Sequence, residues 1–400
     1  MRNILILAIL IRILVMPFYF HPDIKTYNFQ ASFLEMGVWD IYSYLVTNKE
    51  KLPLKDEFVY FPLTYIFLGG YQILISPLLG EGFISWLSDA SQQANDRIGV
   101  YRYLFLLKLP YLLLDLAIAF LLLQLFKNST DKKKVFTLWL FNPFSLILIY
   151  IFSNVDIIPV FLTLVSLLFT YKKKLILASL FLGIAACFKA YPLLFLPFLT
   201  IYAKNIRQAV FMVLACVGVF TIIILPFLSN AFLSSALISG LTTRIIFGGL
   251  SIGFGQTLMV PVIVISALFF YQALRKDKGR DILYFYLSLL LLLFSFIHFH
   301  IQWLLWIIPF VILLLMVRTK LAVLNIFLTA IAFAIPLLYE DKSMTVGLLS
   351  AVSPLFNLIP IPFAVVSRIY DPYILQSVLH SALAGGSLIF IRELFKNRQA

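Results

Sequence analysis

Seven ionisable side chains interrupt an otherwise apolar chain at points where chemistry is possible: Asp23, Lys108, Asp156, Lys189, Arg244, His298 and His300. Lysine and arginine hold phosphate groups through charge-assisted hydrogen bonds. A carboxylate can take the proton from an attacking hydroxyl group. If these side chains meet at one depth in the protein, they suit a site that binds a phosphate and moves a proton.

Each of these residues also has a structural interpretation when it is taken alone. Asp115 lies inside an apolar run, seven residues after Lys108 and on the same helical face. A carboxylate within a membrane span is costly and is therefore a candidate for function. The alternative is a structural ion pair or a hydrogen bond between helices. A single lysine near a helix end is often only an anchor at the membrane surface.

The composition decides which elements can position these side chains. The chain has 400 residues, of which 62% are hydrophobic and 12% charged. Soluble domains are typically about 45–50% apolar and about 25% charged. These values exclude a soluble enzyme, a disordered chain and a disulfide-built secreted domain. The runs are apolar throughout rather than alternating, which excludes an outer-membrane barrel. The sequence predicts an all-α, polytopic membrane protein.

Basic clusters divide the chain into about twelve predicted membrane spans within one integral-membrane domain, residues 1–400. A span needs about 20 mostly apolar residues. The predicted spans are 4–20, 104–126, 135–152, 157–171, 175–188, 191–203, 209–227, 257–274, 282–299, 303–317, 321–339 and 373–391.

The charges predict how these spans are oriented. If both termini are cytoplasmic, every short lysine-rich loop falls on the cytoplasmic side, as the positive-inside rule requires. The net charge of +13 then reflects cytoplasmic loops, and no nucleic-acid partner is indicated. The candidate residues lie on the opposite side. We therefore predict a multi-pass plasma-membrane protein with an extracytoplasmic site.

Residues 21–60 form the longest polar stretch and are predicted to be the first extracytoplasmic loop. Asp23 opens this loop, where the first span meets the membrane surface. An aromatic face that includes Phe29, Phe33 and Trp39 predicts a helix lying in the membrane interface. That face could seat a prenyl chain or serve as a plain anchor. Residues 59–79 contain two prolines and a Gly-Gly pair and are predicted to be a re-entrant or juxtamembrane segment.

The order of several motifs resembles the GT-C superfamily of polytopic glycosyltransferases, in particular its bacterial and archaeal mannosyltransferase-like branch. The resemblance covers about the first 310 residues, in collinear order. The motifs are Asp23-xxx-Tyr27, Gly37-Val38-Trp39-Asp40-Ile41-Tyr42, Tyr60-Phe61-Pro62-Leu63, Lys108-Leu109-Pro110-xxxx-Asp115, Phe141-Asn142-Pro143, Ser153-Asn154-Val155-Asp156, Phe188-Lys189-Ala190-Tyr191-Pro192 and His298-Phe299-His300-Ile301-Gln302-Trp303.

The resemblance implies that a sugar, a mannose-like hexose by this likeness, moves from a polyprenyl-phosphate donor to a hydroxyl group of a glycan or lipid acceptor, with inversion. Asp23 would be the catalytic base. Lys108, Lys189 and Arg244 would hold the lipid phosphate. The remaining candidates for binding the sugar or the acceptor are Asp40, Tyr60, Asp115, Asp156, His298, His300 and Gln302. No cofactor is expected; a divalent metal ion is possible but not indicated.

Three other functions stay open at this point. A flippase for lipid-linked sugars needs a charged cavity open to both sides, whereas these polar residues cluster on one face. A secondary transporter would show a repeated half, and we find no repeat. An O-antigen-type polymerase or ligase shares the extracytoplasmic chemistry. Its large catalytic loop usually lies late in the chain, whereas the longest polar loop here comes first.

Overall fold

The computed structural model describes residues 1–89, 97–238, 243–245, 249–275 and 282–396. Within these residues, five helices are long and apolar enough to cross a membrane: Pro62–Leu79, Ile98–Leu123, Ile206–Phe227, Thr319–Leu337 and Pro372–Lys396. A sixth candidate is a pair of helices, Ser129–Leu140 and Pro143–Ile151, with a bend of 43° between them. The chain is therefore a helical protein with several candidate membrane spans.

The α-helices, numbered in chain order, are α1 (Arg2–Val15), α2 (Asp23–Ser32), α3 (Ile41–Asn48), α4 (Pro62–Leu79), α5 (Gly82–Ser88), α6 (Arg97–Leu123), α7 (Ser129–Leu140), α8 (Pro143–Leu146), α9 (Ile157–Tyr171), α10 (Leu175–Ala186), α11 (Leu196–Thr200), α12 (Ile206–Ile224), α13 (Asn230–Phe232), α14 (Val260–Leu274), α15 (Ile282–Phe296), α16 (Ile308–Val317), α17 (Ala322–Leu337), α18 (Pro362–Val366) and α19 (Pro372–Lys396).

Short 3₁₀ and π segments join these helices. The 3₁₀ segments are Lys49–Lys51, Tyr191–Phe195, Leu225–Phe227, Ile301–Trp306, Thr319–Leu321, Lys342–Met344, Val346–Leu349 and Pro354–Leu358. The π segments are Ile147–Ile151 and Leu233–Leu237. A two-stranded antiparallel hairpin, β1 (Gly249–Gly253) and β2 (Gln256–Met259), precedes α14. The hairpin is not predicted by the sequence pattern, which placed an irregular loop and the start of a span there.

The count of twelve spans is not confirmed. Most of the other predicted spans correspond to apolar helices of 10–17 residues, below the about 20 residues that a straight span needs. The predicted span 135–152 is broken at Asn142, whose side-chain oxygen caps α8 by accepting from the N–H groups of Phe144 and Ser145. Proline at the first position of α8 reinforces the new helix start.

Residues 62–79, predicted to be re-entrant or juxtamembrane, form the single unbroken helix α4. Pro62 occupies its first turn, where a missing N–H costs nothing, and Pro77 lies in its last turn. Helix α4 packs against α2, where Gln72 Nε2 donates to Asn28 Oδ1 at 2.8 Å. Phe29 and Phe33 are also buried, with their ring centres 5.2 Å apart. These two residues therefore do not form the interfacial aromatic face expected from the sequence, whereas Trp39 is exposed.

The centre of the core is α15, which is apolar on every side and buried from Ile282 to Ser295. Helix α10 is held tightly against α12 because Gly183 faces the carbonyl oxygen of Cys216. A Cβ atom at Gly183 would lie 2.3 Å from that oxygen. This close approach fixes α10, whose C-terminal turn leads directly into Lys189.

A buried ion pair joins α1 to α6. Arg12 Nε donates to Asp115 Oδ2 at 2.5 Å, and neither side chain is exposed. Two further donors hydrogen-bond to this carboxylate: Trp139 Nε1 and Tyr150 Oη each lie 2.7 Å from one of its oxygens. Burial of an ionised carboxylate is tolerated only with such complete pairing. The structure thus gives Asp115 the structural role and not the substrate-binding role expected from the sequence.

Lys108 also connects α6 to the end of α1, about two helical turns before Asp115. Its Nζ donates to the carbonyl oxygens of Met16, Tyr19 and Tyr150. Met16 and Tyr19 follow the end of α1, where helix carbonyls lack intrahelical partners. The side chain is fully buried and all three N–H groups are engaged. Lys108 therefore anchors the end of α1 and has no N–H group left for a phosphate, contrary to its predicted role.

Replacement of Arg12 by leucine is expected to destabilise the protein strongly, because Asp115 would remain buried without its cation. The loss in the free energy of unfolding should be about 3–5 kcal/mol, measured by denaturation in mixed detergent micelles. The double variant Arg12→Leu/Asp115→Asn should recover at least half of the loss, since it removes both charges. Lys133→Leu, at an exposed position of α7, is the control. Wild-type stability in Arg12→Leu would show that the ion pair contributes nothing.

Candidate functional site

A cavity of about 370 Å³ lies where five distant segments of the chain meet. Its walls come from the start of α2, the residues before α4, the turn after α10, the 3₁₀ segment Ile301–Trp306 and the 3₁₀ segment Lys342–Met344. Arg244 closes a further part of the wall. The volume is within the range of small-molecule sites, about 300–1,000 Å³.

Asp23 is the first residue of α2 and faces this cavity. Gln302 Nε2 donates to its Oδ2 at 3.0 Å, and His21 Nδ1 lies 3.2 Å from its Oδ1. The carboxylate also benefits from the partial positive charge at a helix N-terminus. Its side chain retains 29% of its exposure. Asp23 is therefore held in place on one side and accessible to a ligand on the other.

The surroundings of Asp23 keep it ionised. Burial by itself would raise the pKa of this carboxyl group, but charge attraction and a hydrogen bond from His21 oppose it, with a further hydrogen bond from Gln302. The net effect lowers the pKa of Asp23 to about 2. The same interaction raises the pKa of His21 despite its burial. At neutral pH the cavity thus contains a carboxylate and not a carboxylic acid.

Asp156 and Lys189 form an ion pair at the edge of the cavity. Lys189 Nζ lies 3.0 and 2.8 Å from the two oxygens of Asp156, and Trp306 Nε1 donates to the same carboxylate at 2.8 Å. Asp156 is fully buried, whereas Lys189 is 17% exposed and lines the cavity. Asp156 therefore lies behind Lys189 and orients it, while only the lysine reaches the cavity.

Aromatic rings surround the ammonium group of Lys189. It lies 4.5 Å from the ring centre of Tyr60, 5.5 Å from that of Trp303 and 5.3 Å from that of Trp306. Such cation–π contacts stabilise a partly desolvated cation.

The backbone turn that leads to Asp156 has an unusual conformation, since Ser153 has a φ of 57°, in the left-handed region that glycine adopts most easily. This turn aims Asn154 Nδ2 at the carbonyl oxygen of Gln302, 2.7 Å away.

Arg244 and His300 form a further part of the wall. Arg244 Nη2 lies 2.8 Å from His300 Nε2, and Arg244 Nη1 donates to the carbonyl oxygen of His298 at 2.9 Å. Because a guanidinium group can only donate, His300 Nε2 must accept and the imidazole is neutral. Burial and the charge of Arg244 together lower the pKa of His300 to about 4. The guanidinium lies over the ring of Trp303, 4.8 Å from its centre.

The structure brings six of the sequence-predicted residues into the cavity wall: Asp23, Tyr60, Lys189, Arg244, His300 and Gln302. Asp156 lies directly behind them. His298 contributes its carbonyl oxygen to Arg244, while its side chain is exposed and packs against Tyr339. Asp40 has a different role, since it caps α3 by accepting from the N–H groups of Tyr42 and Ser43.

The sequence reasoning did not assign roles to four residues that line the cavity: His21, Tyr27, Trp303 and Asp341. Tyr27 lies four residues after Asp23, on the same face of α2, so helical spacing is a signal for it. His21 is adjacent in the His-Pro-Asp sequence. Asp341 comes from a late segment and adds a second carboxylate to the wall. The residues around Asp341 in the sequence do not indicate that it reaches the cavity.

The described residues include no group of three or more His, Cys, Asp or Glu side chains that is placed to hold a metal ion. What the arrangement can do follows from the groups present. An ionised carboxylate can accept a hydrogen bond or a proton from a hydroxyl group. Lys189 and Arg244 can bind an anion. Aromatic side chains supply much of the remaining wall.

Replacing His300 by asparagine is expected to make stability less dependent on pH. The pKa of His300 is lower in the folded protein than its ordinary value of 6.5, so the unfolded chain takes up this proton first as the pH falls. The stabilisation is therefore complete above pH 7 and is lost on acidification toward pH 4. Between pH 7.5 and pH 5 the wild type should lose about 2 kcal/mol more than His300→Asn.

The measurement is the free energy of unfolding of both proteins at several pH values, with His298→Asn for comparison. Burial and the charge of Arg244 also lower the pKa of His298, but its side chain is exposed, so this variant should change the pH dependence less than His300→Asn. Parallel pH profiles for the wild type and His300→Asn would contradict a neutral His300 held by Arg244.

A comparison of the chain with protein-family models and with curated proteins finds no match in either set.

Proposed function

We propose that the protein is a membrane-embedded glycosyltransferase. It transfers a sugar, a mannose-like hexose by the resemblance described above, from a polyprenyl-phosphate donor to a hydroxyl group of a glycan or lipid acceptor. The observation that carries the proposal is the content of one cavity: the ionised carboxylate of Asp23 and the two cations Lys189 and Arg244 all line it. Those groups are what acceptor activation and phosphate departure require.

In this proposal Asp23 acts on the acceptor. The acceptor oxygen forms a bond to the anomeric carbon while the bond from that carbon to the phosphate oxygen breaks, and the electron pair leaves with polyprenyl phosphate. As the new bond forms, the acceptor oxygen becomes positively charged and its proton becomes strongly acidic. A carboxylate with a pKa of about 2 is basic enough to take that proton at this late stage. Attack from the face opposite the phosphate gives inversion.

Lys189 and Arg244 hold the departing phosphate. Charge-assisted hydrogen bonds to phosphate are shorter and stronger than neutral ones, and they gain strength as negative charge develops on the leaving group. Asp156 fixes the position of Lys189 through two short contacts. Arg244 binds neutral acceptors, His300 Nε2 and the carbonyl oxygen of His298. Its charge therefore remains available to a phosphate.

Tyr27, Tyr60 and Trp303 provide flat walls for the sugar ring, in keeping with the aromatic lining common to small-molecule sites. Gln302 and Asp341 lie where sugar or acceptor hydroxyl groups would need polar partners. The positive-inside rule supports a multi-pass plasma-membrane topology with both termini cytoplasmic. The cavity then opens on the extracytoplasmic side, where a lipid-linked donor is accessible without a nucleotide sugar.

The variant Asp23→Asn is expected to lose sugar transfer by at least about 100-fold, because general-base catalysis contributes roughly 10²–10⁴. Purified protein is incubated with a panel of polyprenyl-phosphate sugars and acceptors, and released polyprenyl phosphate is measured. Glu35→Gln makes the same chemical change at an exposed position and should retain wild-type rates. Full activity of Asp23→Asn would exclude Asp23 as the base. Absence of release by the wild type across the panel would exclude this donor class.

The variant Arg244→Gln is expected to reduce kcat/KM for the donor by about 10- to 100-fold, because a hydrogen bond to a charged group contributes about 1.5–3 kcal/mol. Arg207→Gln, at an exposed position near the start of α12, is the matched control. Because salt screens charge attraction, a higher salt concentration should lower kcat/KM of the wild type more than that of Arg244→Gln, so the difference between the two proteins should become smaller. An unchanged kcat/KM in Arg244→Gln would show that the guanidinium does not contact the phosphate.

A further inference from the structure

A second cavity, of about 520 Å³, lies between three helices in the later part of the chain: α14, α15 and α19. Most of its wall is apolar and includes Val264, Leu268, Leu292 and Leu388. Its polar groups lie toward one end, where Arg392 and Lys396 belong to the last turns of α19. The cavity is therefore an apolar cleft with positive charge at one end.

The charged end of the cleft lies away from the candidate site. The ring of Phe395, near the end of α19, packs 4.8 Å from that of Phe285 in the first turn of α15. Helix α15 then runs to Phe296, two residues before His298, whose carbonyl oxygen binds Arg244. The charged end of the cleft thus lies beside the first turn of α15, whereas the candidate site lies beyond its last turn. The occupants of the two cavities would therefore enter from different sides of the membrane.

The length of the cleft corresponds to one leaflet of a bilayer. Leu388 and Lys396 both line it and are eight residues apart on α19, a rise of about 12 Å. The hydrocarbon core of a bilayer is about 30 Å thick, so one leaflet contributes about 15 Å. Leu388 and Ile389 are 48% and 51% exposed, so this side of α19 is open to surrounding lipid. The apolar wall offers a water molecule no hydrogen-bond partners, so water is not a favourable occupant of this space.

The charges at the end of the cleft select among lipids. Lys396 Nζ lies 3.6 Å from Glu393 Oε1, and both side chains are partly exposed. Arg392 adds a second cation to the wall. The guanidinium of Arg275 lies over the rings of Tyr271 and Phe395, 5.6 and 5.3 Å from their centres. Among the described residues that line or adjoin this end of the cleft, Arg392 and Lys396 outnumber the carboxylate of Glu393, which favours an anionic head group.

We propose that the cleft binds an anionic phospholipid of the cytoplasmic leaflet, with one acyl chain along α14 and α19 and the phosphate beside Arg392 and Lys396. The complementarity of a one-leaflet apolar cleft and a cationic end carries the proposal. It does not depend on the proposed transferase activity, because no residue of the cleft lines the first cavity. The bound lipid fixes the two helices that enclose α15 on this side.

Native mass spectrometry of the full chain in neutral detergent tests the proposal, with titration of phosphatidylglycerol and of phosphatidylcholine of identical acyl chains. The wild type should bind one phosphatidylglycerol more tightly than phosphatidylcholine. Arg392→Gln/Lys396→Gln should weaken phosphatidylglycerol binding by about 30-fold, since each basic residue near the membrane surface contributes about 1 kcal/mol. Phosphatidylcholine binding should stay unchanged. Lys172→Gln/Lys174→Gln, which removes two exposed lysines after α9, is the matched control.

A second variant tests the apolar part of the cleft without changing its charge. Ala267→Trp places a large ring in the cleft and should weaken phosphatidylglycerol binding at least tenfold, with thermal unfolding as a check of the fold. Equal affinity of the wild type for the two lipids would overturn the proposal. A charge variant that binds phosphatidylglycerol as tightly as its control would also overturn it, and so would a dimer that Ala267→Trp dissociates.

Discussion

A charge buried in an apolar protein must be neutralised or fully hydrogen-bonded, and this constraint organises the structure. Three cations illustrate two ways of satisfying it. Arg12 pairs with Asp115, Lys108 binds three carbonyl oxygens and Lys189 pairs with Asp156. Each arrangement connects segments that are far apart in sequence. Breaking such a contact would leave an uncompensated buried charge, which is costly. The contacts therefore hold those segments together.

The candidate site lies where the constraint is met only in part. Asp23 is held by neutral Gln302 and by His21, and Arg244 by neutral His300 and a backbone carbonyl. Arg244 has only neutral acceptors for its charge, Asp23 has charge attraction from His21 alone, and both side chains keep some exposure. They lie in the wall of the same cavity, so an incoming ligand can complete their neutralisation. Lys189 lies between the two cases, since its charge is balanced by Asp156 but its ammonium group still reaches the cavity.

Part of this arrangement was predictable from the sequence. Helices α9, α14 and α19 fall where apolar runs between basic clusters placed them, and Asp23 was identifiable because it follows the first apolar run directly. Other features lacked a local signal. The hairpin from Gly249 to Met259 replaced an expected loop, and α4 remained unbroken because its prolines lie in its first and last turns. The number of spans also remained open, because apolar runs of 10–17 residues fit several kinds of helix.

The sequence by itself determined the helical, membrane-type character of the protein and the helix ends at which its polar residues lie, since both follow from composition and from the spacing of charges. Only the tertiary structure decided which charges face the cavity. Lys108 and Lys189 are the same residue type at similar predicted depths, yet three carbonyl oxygens enclose one and a cavity wall includes the other. The partners that make this difference are distant in sequence: Met16 lies 92 residues from Lys108 and Tyr60 lies 129 residues from Lys189. No local pattern encodes such contacts.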